Sequence, residues 1–292
     1  MTVEEWYSRG KKSNINGFDI FNIREGNGEA LICLHGFPTS SWDFAPIWPT
    51  LISKFDVLAH DLIGLGRSAK PEEKLSISWQ ADIVLELALE NGIERAHLLA
   101  HDLGNTVAQE LLARQAEDNS PISWLSCVFL NGGIFPEMHR PRFIQRLLLS
   151  PLGSMVAKLS TENTFRRNMR NIFSTAHPPS DEFLRSSWKL LAENNGIQMM
   201  PRLIKYMQER QLYRERWVAP LENSTIPLRL INGIQDPVSG LHMASYYREI
   251  ITDADVVLIE DAGHYPHVET PERVLEAMFD FYGRLPSHRV YN

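Results

Sequence analysis

The sequence predicts an α/β fold: a mostly parallel sheet with helices on both faces, interrupted once by a long helical insertion. Two observations carry this. Short, continuously apolar runs alternate with longer amphipathic ones through the first 130 residues, and strands that are apolar on both sides belong to parallel sheets buried under helices. The alternation stops after Asn131-Gly132-Gly133 and resumes near residue 225, so a segment of different architecture divides one core.

Each element has its own signal. Residues 30–34 (Ala-Leu-Ile-Cys-Leu) and 56–60 (Asp-Val-Leu-Ala-His) have the length and composition of buried strands. Residues 77–91 carry apolar side chains at helical spacing, and Gly92 supplies the stop. A strand over 95–101, a helix over 103–115 and a strand over 123–130 follow. From 133 to 224 no strand pattern stands out. Stretches rich in Arg, Leu and Met, such as 182–193 and 200–214, have helical spacing between prolines. Strands return at 227–231 and 255–259, and an amphipathic helix over 271–283 closes the chain. The expected organisation is a core of residues 1–132 and 225–292 carrying a helical cap over 133–224.

The 292 residues suit one large domain with an insertion. A net charge of -7 argues against nucleic acid as a partner, since phosphate binding needs a basic surface. The charge is uneven: residues 133–224 hold 14 Lys and Arg against 8 Asp and Glu. This reads either as a solvated basic face or as a lip that attracts an anionic substrate or a membrane surface. Cys33 and Cys127 lie inside apolar runs and read as buried thiols, with no disulfide framework. The acidic, polar start is no secretory signal, and no apolar run approaches the ~18 residues of a membrane span. The expectation is a cytoplasmic protein with no membrane partner, of undetermined oligomeric state.

In open α/β sheets, reacting groups collect where strands end. After the 95–101 strand comes Ala100-His101-Asp102-Leu103-Gly104 and then a helix. Small residues flank a central nucleophile position because the turn is tight and its neighbours approach closely. Asp102 stands where a serine is usual, and the helix start favours its charge. Alone, Asp102 could equally be a helix N-cap. After the 30–34 strand, His35-Gly36-Phe37-Pro38 can aim the Phe37 N–H into the same space, with the Leu103 N–H as second donor of an oxyanion hole. After 227–231 comes Asp236, and after 255–259 comes His264. Nucleophile, acid and histidine, in that order and each in a loop after a strand, form a triad pattern. Asp261 and His267 are weaker substitutes for the acid and the base. Asn131, ending the 123–130 strand, cannot serve as the carboxylate. His35, His60 and His101 read as structural. No metal cluster, phosphate-binding loop or dinucleotide fingerprint is present, so no cofactor is expected.

Together His-Gly-Phe-Pro-Thr-Ser-Ser-Trp-Asp-Phe, Asp-Leu-Ile-Gly-Leu-Gly-Arg-Ser, His-Asp-Leu-Gly-Asn-Thr-Val-Ala-Gln-Glu-Leu and Gly-His-Tyr-Pro-His-Val-Glu resemble the α/β-hydrolase superfamily. The branch resembled is that of epoxide hydrolases and haloalkane dehalogenases, where aspartate is the nucleophile, and within it the mesoderm-specific-transcript-like proteins. The resemblance implies an eight-stranded α/β-hydrolase fold with an inserted cap, Asp102 as nucleophile, His264 as base and Asp236 as its acid. A small apolar organic molecule and water would be the substrates. Dehalogenases of this branch hold halide with side-chain donors at positions that are here Phe37 and Leu103, which have none. Fluoroacetate-type enzymes place arginines just after the nucleophile, and residues 103–106 contain none. Epoxide hydrolases use cap tyrosines as proton donors. Tyr206 resembles one by position, Tyr213 less so, and 133–180 contains no second tyrosine; His139 or His177 could substitute. An epoxide hydrolase-like enzyme is therefore the leading expectation. A haloalkane, ester or lactone hydrolase, and a non-catalytic protein binding a small molecule or partner, remain as alternatives.

Overall fold

The computed structural model describes residues 1–285. Eight strands make one sheet: β1 (Lys11–Ile15), β2 (Phe18–Gly26), β3 (Ala30–Leu34), β4 (Asp56–His60), β5 (Arg95–Ala100), β6 (Ser123–Phe129), β7 (Leu228–Gly233) and β8 (Val256–Ile259). Their spatial order is β1-β2-β4-β3-β5-β6-β7-β8. β1 pairs antiparallel with β2 and β2 with β4, and every other pairing is parallel. This is the α/β-hydrolase fold that the motifs imply.

The reason lies in burial. Leu31, Ile32, Cys33 and Leu34 of β3 are all fully enclosed, because helices cover both faces of the central strands. Removing each such aliphatic side chain from water contributes about 1.5–3 kcal/mol. β1 and β2 lack that signature. Their solvent-facing residues dilute the apolar pattern, and the six strands read from apolar runs omit them. The hairpin joining them turns on Asn16 and Gly17, at φ +51° and +89°, the pair a tight hairpin turn favours.

The helix Ile77–Glu90 ends before Gly92, whose φ is +68°. The helix Leu103–Ala116 is buried from Leu103 to Ala113 because it lies between the sheet and the helix Arg214–Glu222. Between β6 and β7 the ordered elements are all helical, from Phe143–Leu149 to Arg214–Glu222. The helix expected over 182–193 is Asp181–Ala192. The single helix expected over 200–214 is instead parts of three: Gly196–Leu203, Tyr206–Leu212 and Arg214–Glu222. No described helix is long and apolar enough to cross a membrane.

The order of strands places β3 between β4 and β5, so the chain leaves the centre in opposite directions from there. The loops that follow β3, β5, β6, β7 and β8 all emerge at the same, carboxyl edge of the parallel strands. Those loops carry Phe37, Asp102, Asn131, Asp236 and His264.

Candidate active site

Asp102 sits on the sharp turn from β5 into the helix Leu103–Ala116, at φ +46° and ψ −104°. A non-glycine residue held there costs on the order of 1–3 kcal/mol, and such strain collects at functional sites. Close packing maintains it. A Cβ on Gly36 would lie 2.8 Å from Asp102 Cβ, and one on Gly104 only 2.2 Å from the Leu34 carbonyl oxygen. The small residues around Asp102 are therefore steric requirements. The helix-cap reading of Asp102 fails, because its side chain makes no capping bond. Its Oδ2 instead accepts the Phe37 N–H at 3.0 Å. Leu103 is the first residue of the helix, so its N–H belongs to the set left without an intrahelical partner.

His264 faces this carboxylate, with Nε2 3.9 Å from Asp102 Oδ1. That is beyond direct hydrogen bonding. On its other side, His264 Nδ1 donates to Asp236 Oδ2 at 2.7 Å, which fixes the tautomer when the ring is neutral. Asp236 is held in turn: Oδ2 accepts from Ser239 Oγ at 2.7 Å and Asn131 Nδ2 at 3.0 Å, and Oδ1 from the Val238 N–H at 2.7 Å. Asn131 also donates to the Gly233 carbonyl and accepts the Gly233 N–H, so it locks the β7 turn that presents Asp236. The structure thus brings Phe37, Leu103, Asp102, Asp236 and His264 to one place. Asp261 stays outside, paired with His177 and Arg273. His267 lies in the following short helix, Pro266–Glu269.

All three titratable groups are buried, which alone would disfavour their charges. For Asp102, burial is outweighed by His264, then Arg210 and His101, and by the Phe37 N–H, so its pKa is lowered. For Asp236, burial is outweighed by His264, Ser239 and Val238, and the value falls to about 2. For His264, burial is outweighed by Asp236 and then Asp102, and the value rises to about 9. At neutral pH the resting site therefore holds two carboxylates about one imidazolium.

Arg210 was not legible as a site residue. It is 2% exposed, yet it comes from the helix Tyr206–Leu212, remote in sequence from the turn. Its Nη2 donates to the Asp102 carbonyl at 2.9 Å and its Nε to Thr106 Oγ1 at 2.6 Å, and its Nη1 lies 3.2 Å from His139 Nδ1. No arginine follows the turn in sequence, but the fold supplies one in space. Tyr206 packs beneath it, with the guanidinium carbon 4.6 Å from the ring centroid. The Tyr206 ring is also 6.2 Å from that of Phe37, and its buried hydroxyl has no hydrogen-bond partner. Burial raises its pKa well beyond the usual phenol. Tyr213, in contrast, is exposed and packs on Trp217.

Behind the turn lies a second polar group. Atoms of Asp43, His101 and His267 converge within 4.8 Å of one another, all buried. His101 Nε2 meets the His264 carbonyl at 2.8 Å, which makes that nitrogen the donor, while the buried Nδ1 has no hydrogen-bond partner. The set has metal-ligand chemistry. Its burial directly behind Asp102, through the adjacent His101, makes it a scaffold for the turn. His35 is structural too, bonded to the Gly36 carbonyl and the Leu62 N–H. The cavity bordering Leu103 and Tyr206 is about 10 Å³, lined also by Leu75, Ile77 and Leu203. That holds no more than a water.

An acid and a histidine aimed at a residue on a strained strand-to-helix turn, above a sheet in this strand order, is the arrangement of the α/β hydrolases. The model of the alpha/beta hydrolase family matches residues 31–277, and the chain belongs to that family. It is 36% identical over 292 residues to the human mesoderm-specific transcript homolog protein, covering 96% of this chain and 87% of that one. It is 34% identical over 279 residues to the putative hydrolase LipZ of Mycobacterium tuberculosis, covering 94% and 96%. Among solved structures, the epoxide hydrolase CorEH without ligand superposes with a TM-score of 0.76 at 20% identity, covering 94% of this chain and 98% of that one.

Proposed function

We propose that this hydrolase works through a covalent ester on Asp102 and acts on a small apolar epoxide. The observation that carries the reading is the Asp102 carboxylate itself: strained at φ +46°, without a capping role, and facing His264 Nε2 across 3.9 Å. In this reading, residues 133–224 are a cap, and Tyr206 stands over the site as its proton donor. A carboxylate is already ionised at neutral pH, so it needs no base for attack on a saturated carbon.

Asp102 Oδ1 attacks an epoxide carbon while the ring oxygen takes the Tyr206 proton, giving a hydroxyalkyl ester. The tyrosinate left behind lies against the Arg210 cation. Esterification removes the Asp102 charge, one of the two carboxylate charges that keep His264 protonated. The imidazolium then gives up its proton, which restores Tyr206 through solvent, and the neutral imidazole takes a proton from water. The resulting hydroxide adds to Asp102 Cγ, and the negative charge on Oδ2 is met by the N–H groups of Phe37 and Leu103. Collapse breaks the Cγ–Oδ1 bond. The departing alkoxide takes the His264 proton, and the new carboxylic acid gives its proton to His264, which restores the resting imidazolium. The sum is epoxide plus water to diol. Phe37 and Leu103 have no side-chain donors for a halide, which favours the epoxide over a haloalkane.

The test is His264→Gln, exposed to a panel of epoxides, haloalkanes and esters, with intact mass and peptide mapping. An adduct on Asp102 equal in mass to a whole epoxide is expected. An adduct lacking the elements of HX indicates a dehalogenase, and one lacking an alcohol an esterase. No adduct across the panel would refute covalent catalysis by Asp102.

A further inference from the structure

The basic charge of residues 133–224 keeps a membrane surface among its readings, and the structure adds a set of exposed apolar side chains beside it. Nine large apolar side chains are exposed among the described residues, and four of them fall within 143–159. Phe143 is 75% exposed, Leu159 71%, Leu152 55% and Met155 52%. Leu152, Met155 and Leu159 follow at steps of three and four along the short helix Gly153–Lys158 and its ends, so they share one side of it. The helix Phe143–Leu149 packs against this one, and both rest on Gly196–Leu203 through buried Leu148, Gly153 and Ala157. Exposed apolar groups clustered in this way mark an interaction surface.

The charge around them selects the partner. Exposed Arg142, Arg146 and Lys158 lie among these residues, and no Asp or Glu occurs between Glu137 and Glu162. Several basic groups elsewhere in the insertion face acids instead: Arg166 and Arg170 pair with Asp181, Arg214 with Glu137, and Arg216 with Glu110. A second copy docking by this face about a twofold axis would set these cations against their own images. An anionic bilayer instead meets both requirements at once, apolar side chains in the acyl boundary and cations at the headgroups.

We infer that this face, formed by Phe143, Leu152, Met155 and Leu159 with Arg142, Arg146 and Lys158, docks the protein peripherally on anionic membranes. The helices bearing it rest on Gly196–Leu203, and Leu203 borders the small cavity lined also by Leu103 and Tyr206. The docked face therefore lies one helix away from the candidate site. The inference stands apart from the chemistry assigned to Asp102, since its test measures binding alone.

The untagged full chain is sedimented with sucrose-loaded vesicles of phosphatidylcholine, with and without 30% phosphatidylserine (about a third anionic lipid, chosen to exceed a typical leaflet). Binding to the anionic vesicles is expected, with a loss of at least ~10-fold on pure phosphatidylcholine or in high salt. Phe143→Ser with Leu159→Ser should weaken it by at least ~10-fold, as the burial of two large side chains requires. Both native cysteines are buried, so Leu152→Cys also offers a single accessible thiol for an environment-sensitive dye. Its emission should shift to the blue on anionic vesicles, which gives a readout independent of the double variant's folding. Equal sedimentation with and without vesicles and an unmoved dye would overturn the inference. So would undiminished vesicle binding by a folded double variant, which places the lipid contact elsewhere, or a concentration-dependent dimer that the same substitutions abolish.

Discussion

Replacing Asp236 by Asn separates the two halves of the proposed reaction. The wild-type carboxylate is surrounded by four donors: His264 Nδ1, Ser239 Oγ, Asn131 Nδ2 and the Val238 N–H. An amide has one acceptor end and one donor end, so its NH2 must confront a donor whichever way it turns. Turned toward Oδ1, it opposes only Val238; turned toward Oδ2, it opposes three groups. The first orientation wins and leaves one buried N–H unsatisfied, a loss of about 1–3 kcal/mol in stability. The effect on chemistry is larger. The rise of His264 from 6.5 to about 9 corresponds to about 3 kcal/mol in favour of the imidazolium, and Asp236 is the chief carboxylate behind it. Without that charge the pKa of the histidine falls, and the imidazolium formed during ester hydrolysis loses its counter-charge. Hydrolysis of the Asp102 ester should slow about 10²–10⁴-fold, while ester formation, which does not use His264 as a base, changes less than ~10-fold. Rapid-quench intact-mass measurements in a single turnover read both steps, and the adduct should accumulate. Equal slowing of both steps, or unchanged hydrolysis, would refute the orienting role of Asp236.

Three other outcomes follow from the same geometry. His264 is raised from 6.5 to about 9 on folding, so its stabilising contribution is complete below pH ~6.5 and disappears as pH climbs to ~9. The melting temperature should fall across that window in the wild type and stay flat there in His264→Gln; a wild-type rise would contradict the charge assignment. Arg210→Gln removes a cation that lowers Asp102, so the acid limb of adduct formation, followed in the His264→Gln background, should move up by about one pH unit. Arg210→Lys should restore part of that, and an identical pH profile in all three proteins would leave Arg210 a packing residue. Tyr206→Phe deletes a buried hydroxyl without a partner, so stability should hold or increase while epoxide opening drops about 10²-fold. Undiminished turnover of epoxides by that variant would remove Tyr206 from the mechanism.

The sequence made the fold legible where burial is symmetrical. β3 and β4 coincide with runs 30–34 and 56–60, because strands enclosed on both faces read as uninterrupted apolar segments. β1 and β2 have a solvated face, and in them that signature is diluted. The helices after residue 196 were blurred for a related reason. Pro201 lies inside one helix, and breaks between short helices depend on how each packs rather than on periodicity. At the candidate site, the residues that follow strands could be found from the chain, since the fold itself collects strand ends at one edge.

What the sequence by itself determined is the set of local demands: glycines where backbones nearly touch, an acid on the turn, and an acid and a histidine in the later loops. Only the tertiary structure decided how those groups meet and which others join them. Arg210 reaches the Asp102 carbonyl from more than a hundred residues away, and Asn131 steadies Asp236 across two strand ends. Asp43, His101 and His267 close into one buried set from three separate segments. No periodicity or spacing encodes such contacts. They exist because the sheet order and the helices over it bring distant side chains within a few ångströms, where burial amplifies the charge interactions that water would otherwise screen.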